Sequence, residues 1–148
     1  MKIILHVLLL SSLWLLVACD TKLNSAPPSY VKDITCYKEG SDGIMVYIVL
    51  ADETGAMTTA SGTLKLTILE TEHSQPIFSL DLPVEHSLFQ RAKVGMGAFE
   101  HEVLLLNIGR ITYGSFSSPP EEMSTGKLMV ELTTEDGRII KSDNICGL

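Results

Sequence analysis

Residues Thr63 to Glu70 alternate, with Leu64, Leu66 and Ile68 on one side of an extended chain and Thr63, Lys65 and Thr67 on the other. An apolar period of two is the period of a strand with one buried face, not of a helix, whose apolar positions recur every 3.6 residues. Similar short segments recur along the chain. Val31 to Tyr37 sets Ile34 and Cys36 against Asp33 and Thr35, and Ile77 to Leu82 sets Phe78, Leu80 and Leu82 against Ser79 and Asp81. Pro83 is expected to end ladder pairing of the latter. Ile44 to Asp52 is β-branched and apolar on both faces, which suits a central strand better than a helix of nine residues.

Turn residues separate these segments: Glu39 to Gly43, then Asp52-Glu53-Thr54-Gly55. Val103 to Leu106, within Ala98 to Ile108, reads as a buried strand, Ile111 to Phe116 as its extension, and Ser117 to Gly126, with two prolines, as a loop crossing between sheets. Ser87 to Gln90 has capping-box spacing, so residues 87–97 fit a helical turn or a strand, and both remain open.

The final hairpin carries a register argument, because opposed residues of an antiparallel pair share a face. A two-residue Asp136-Gly137 loop would oppose Leu132 to Lys141. A three-residue loop, Glu135 to Gly137 with Gly137 left-handed, opposes Leu132 to Ile140 and Glu131 to Lys141 instead, and is preferred. Seven or so short strands with regular turns predict an all-β domain over residues 31–148, an immunoglobulin- or fibronectin-III-like antiparallel β-sandwich. The usual core tryptophan is missing, since the one tryptophan is Trp14. Tyr113 imitates a tyrosine corner only weakly.

Residues 1–18 have a different character. Met1 and Lys2 precede an apolar run, and Leu16-Val17-Ala18 lead into Cys19. That is the plan of a secretory signal peptide. The run is at or below the length that crosses a bilayer and no basic stop-transfer cluster follows. Leu16 to Cys19 resembles the lipobox of bacterial lipoproteins. The resemblance implies cleavage before Cys19, lipidation of its sulfur, and a membrane partner engaged through that lipid anchor. Asp20 resembles the residue that, in many two-membrane bacteria, retains a lipoprotein at the outer face of the cytoplasmic (inner) membrane. Residues 19–30, small, polar and proline-containing, then read as the acylated N-terminus and a flexible tether.

Cleavage removes Lys2 and leaves 10 Lys and Arg against 18 Asp and Glu, a net charge of −8 on 130 residues. So acidic a domain has no counterion-release incentive to bind nucleic acid, and an anionic bilayer would repel it. With Cys19 given to lipid, Cys36 and Cys146 remain as a pair near the two ends of the domain. Cys36 shares a face with Ile34, and the preferred hairpin register puts Cys146 on the face of Ile140, so the two are expected to form a disulfide inside an exported protein.

No nucleophile elbow, zinc-protease helix, phosphate loop, dinucleotide fingerprint or EF-hand loop occurs, so no catalytic residue, resident metal or cofactor is assigned. His86 and His101 neighbour glutamates, but adjacent strand residues point to opposite faces. His73 lies in a polar turn. Asp42, Asp52, Glu53 and Asp143 are scattered oxygen donors with no contiguous calcium series, and the methionines are too dispersed for copper. The expected function is that of a non-catalytic binding or accessory module of unknown ligand, docking another envelope protein or an extracellular ligand through its loops or an exposed strand edge. The alternative is a small envelope hydrolase whose site is assembled from Ser41, His86 and Asp143.

Overall fold

Alternation along the chain becomes layering in space. The computed structural model describes residues 26–70, 75–120 and 124–148. Among them the chain forms nine strands: β1 Tyr30–Lys38, β2 Gly43–Ala51, β3 Met57–Thr58, β4 Gly62–Glu70, β5 Pro76–Val84, β6 Phe89–Val94, β7 His101–Thr112, β8 Thr125–Thr134 and β9 Ile139–Gly147. Single 3₁₀ turns at His86–Leu88, Gly97–Phe99 and Tyr113–Ser115 are the helical elements among the described residues.

The strands make two antiparallel sheets. Sheet A has the order β1-β2-β7-β6, with β3 added on β2, and sheet B the order β5-β4-β8-β9. Hairpins stay within a sheet, and the three remaining connections cross between sheets. This is the constant-type immunoglobulin strand order with β5 as an added strand beside β4. The central strands supply the core. Ile44, Val46, Ile48 and Leu50 of β2, Leu64, Leu66 and Ile68 of β4, and Leu128, Val130 and Leu132 of β8 are each no more than 2% exposed.

The β8–β9 hairpin adopts the three-residue loop, with Leu132 opposite Ile140, Glu131 opposite Lys141, and Gly137 at φ +83°. Cys36 and Cys146 are disulfide-bonded, with a Cα–Cα distance of 5.4 Å, and clip β1 of sheet A to β9 of sheet B. Residues 87–97 resolve largely in favour of a strand. Beyond the 3₁₀ turn, β6 pairs with β7 from Phe89↔Leu106 to Val94↔His101, and Ser87 caps nothing because the capping position falls on Glu85. Cross-strand pairing outweighed a local capping signal.

Two expectations need correction, and the weak likeness of Tyr113 to a tyrosine corner is not realised. Pro83 does not end β5 but sits inside it opposite Thr63, which is tolerated because β5 is an edge strand where one N–H can be missing on the open side. Ile111 and Thr112 belong to β7, but the chain then leaves the sheet in the Tyr113–Ser115 turn. Tyr113 is no tyrosine corner: its ring packs on Phe116 at 5.4 Å, and its buried hydroxyl has no hydrogen-bond partner among the described residues.

The attached part of the chain also begins earlier than Val31. Ser29 N–H donates to the Ala51 carbonyl at 2.8 Å, and Arg138 donates to the Pro28 carbonyl at 3.0 Å. Residues 26–30, assigned to the tether by composition, therefore lie on the domain through their backbone carbonyls and amides. Such contacts leave no periodic signature in the sequence.

Candidate docking face

The two outer faces of the sandwich differ in kind. On sheet B, outward Lys141 pairs with Glu131 at 2.7 Å and Lys127 with Asp143 at 3.1 Å, so ion pairs cross the face between the isolated exposed side chains of Met129, Ile139 and Ile145. On sheet A the outward positions of the central strands are Tyr47 and Val49 of β2 and Val103 and Leu105 of β7. Together with Tyr37 of β1 and Ala92 and Val94 of β6 they floor a trough of about 540 Å³. Val49 and Leu105 are each only 8% exposed although no described element covers this face.

The trough follows from register. Tyr47 lies opposite Thr35 on one side and Asn107 on the other, while Gln90 lies opposite Leu105. Apolar side chains of the central strands are thereby flanked by Thr35 and Gln90 of the edge strands and by Asn107 farther along β7. Tyr37 and Tyr47 stack with ring centroids 6.2 Å apart. Their hydroxyl contact, reinforced by desolvation, holds the Tyr47 phenol above its ordinary value. An apolar floor with a mostly neutral hydrogen-bonding rim is the composition of a protein-binding patch. Sequence reading missed it because residues apolar on both faces of β2 register simply as buried.

Residues raised from sequence as a hydrolase site are not brought together. Ser41 lies in the β1–β2 turn, whereas His86 sits near Thr59, toward the Ala51 end of β2, and a nine-residue strand is about 30 Å long. Asp143 is on the outer face of sheet B, held by Lys127. His86 Nδ1 instead shares a hydrogen bond of 2.6 Å with Thr59 Oγ1 in a cleft of about 300 Å³. Two carboxylates line that cleft, Glu135 and Asp136, and Asp136 is engaged by Arg138 at 2.8 Å and by Thr134. Thr59 is 27 residues from His86, and no local spacing signals their meeting.

His101 Nδ1 contacts the Phe99 carbonyl at 3.2 Å, while the flanking Glu100 and Glu102 pair with Lys93 and Arg91 on β6. The carboxylates considered for calcium are likewise dispersed. Asp42 binds Arg110, and Asp52 accepts hydrogen bonds from the Thr54 hydroxyl at 2.6 Å, the Thr54 amide at 2.8 Å and the Ala56 amide at 3.0 Å. Those bonds, the Thr54 hydroxyl foremost, hold the Asp52 carboxyl below its ordinary value. Among the described residues no three His, Cys, Asp or Glu side chains are grouped to hold a metal ion. Met57 is committed elsewhere, its sulfur accepting the Leu104 amide at 3.2 Å. Cys19 and His73 lie outside the described residues, and no described helix is long and apolar enough to cross a membrane.

Fold and face together define a class, an immunoglobulin-type sandwich with one apolar sheet face that no described element covers. No family model, curated protein or solved structure matches the chain.

Proposed function

We propose that this protein is a membrane-tethered envelope lipoprotein, anchored through acylated Cys19, that acts as a non-catalytic docking or accessory module. The observation that carries the docking half is the trough on sheet A, whose Val49, Val103 and Leu105 floor is apolar while the opposite face of the sandwich is laced with ion pairs. Its occupant is another envelope protein. The trough is shallow and open, lined by aromatic and aliphatic side chains, and so resembles the core of a protein interface more than an enclosed small-molecule site.

Export is supported by the Cys36–Cys146 disulfide, which belongs to an oxidising compartment. Two acyl chains make the anchor effectively permanent, at roughly 0.8 kcal/mol per buried methylene. Asp20 favours the outer face of the cytoplasmic membrane in an organism with two membranes. Recognition of this kind needs no cofactor, and the acidic surface disfavours nucleic acid.

Metabolic labelling with a radioactive fatty acid tests the anchor. The wild-type protein incorporates label and remains with membranes, while Cys19→Ser incorporates none. Label retained by the serine variant would contradict lipidation at this cysteine. The hydrolase reading has one observation in its favour, the Thr59–His86 hydrogen bond. Turnover of a generic ester or peptide substrate that is lost in His86→Ala would establish that reading instead.

A further inference from the structure

Two large side chains at the tip of the β6–β7 hairpin have no place in the core. Met96 is 86% exposed and Phe99 85%. They sit in the uncharged run Val94-Gly95-Met96-Gly97-Ala98-Phe99. Immediately below, the hairpin stem neutralises its own charges, with Lys93 paired to Glu100 at 3.1 Å and Arg91 to Glu102 at 3.5 Å. An apolar tip on a charge-balanced stem is costly in water and suited to a medium that takes up hydrocarbon.

Position identifies the medium. Strand β2 ends at Ala51, and by the register Ile48↔Leu106 the start of β7 at His101 stands level with the Asp52–Glu53 turn, so the hairpin tip projects past that end of the sandwich. The chain enters the domain at the same end, where Ser29 N–H binds the Ala51 carbonyl at 2.8 Å. Residues 20–25 are all that separate Cys19 from Ala26. Even fully extended, that connection spans no more than about 25 Å. A lipid on Cys19 therefore keeps this end of the domain, and the hairpin tip with it, next to the bilayer.

We infer that the β6–β7 hairpin tip inserts Met96 and Phe99 into the interfacial region of the membrane that holds the lipid anchor, making a second, protein-borne lipid contact. The inference rests on the lipoprotein reading. Two side chains alone bind a bilayer weakly, but the tether makes their insertion intramolecular, where a weak contact suffices. The insertion is apolar rather than electrostatic, since the domain is acidic and the stem cations are paired. It fixes the orientation of the sandwich, bringing the Val94 and His101 end of the trough toward the membrane surface.

The test uses full-length protein purified from its own membrane and reconstituted into phosphatidylcholine vesicles with brominated acyl chains. Because Trp14 lies in the segment removed on processing, Phe99→Trp gives a mature chain with a single tryptophan. Ser41→Trp provides the control at the opposite end. The expected result is a shift of the Phe99→Trp emission to shorter wavelength and its loss to bromine quenching, with neither effect in Ser41→Trp. Equal quenching of the two variants in vesicle-bound, acylated protein would overturn the insertion. So would a shift of Phe99→Trp emission in native membranes that vanishes in pure lipid, which would assign the tip to a protein partner. Mass measurement of the N-terminal peptide separates the two failures: an unacylated Cys19 removes the tether and the inference with it, whereas an acylated Cys19 beside an unquenched tip refutes the insertion alone.

Discussion

Asp52 shows how one side chain can hold a turn. Its carboxylate accepts two backbone amides and a hydroxyl within the segment joining β2 to β3, satisfying donors that would otherwise be stranded at the end of a buried strand. Because those bonds favour the ionised form, the folded carboxyl titrates below its unfolded value of about 3.9. The stabilisation is thus present above that unfolded value and is lost as pH falls through the lower folded one. Glu131, held down chiefly by Lys141, and Asp136, held down chiefly by the Thr134 hydroxyl, act with the same sign. The urea midpoint of the wild type should therefore fall as pH drops below about 4. Asp52→Asn should unfold earlier at neutral pH and show a shallower acid dependence. An unchanged pH profile in the variant would remove Asp52 from this role.

The disulfide was legible at the same scale, because strand parity put both thiols inward. It closes a loop of 110 residues and is worth about 5 kcal/mol in the chain-entropy account. The Thr59–His86 hydrogen bond was not legible, since a contact between loops depends on how the sheets stack and not on any local period.

Among elements, the β8–β9 hairpin was read in full because two independent constraints agreed. Apolar matching demanded Leu132 opposite Ile140, and the loop that delivers this pairing needs a left-handed residue where Gly137 stands. Gly137→Ala should cost about 1 kcal/mol, the penalty for a Cβ at positive φ, with the fold retained. A denaturation midpoint equal to that of the wild type would mean that the loop relaxes to another conformation. Elements with fewer constraints were harder to read. Strand β3 has two residues, too few to carry a period, and β6 was ambiguous because a capping-box spacing competed with a six-residue alternation that only pairing to β7 resolves. Pro83 misled because the rule against proline in strands applies to central strands, and the edge position of β5 is a fact of topology.

For the molecule as a whole, the all-β sandwich followed from short alternating segments, whereas the docking face did not. Runs such as Ile44 to Ala51 and Val103 to Leu106 mark strands buried on both sides, and in an antiparallel sandwich one side is ordinarily solvated. No described element covers that second apolar side of sheet A, while ion pairs cross the outer face of sheet B. This contrast is what the proposed recognition function rests on. It is tested most directly by a photoactivatable amino acid introduced at Val103, on the floor of the trough, and separately at Thr67, on the outer face of sheet B, in the full-length protein in its own membrane. Irradiation should yield one reproducible protein adduct from the Val103 position and none from Thr67. No adduct from Val103, or the same set from both positions, would contradict docking through sheet A.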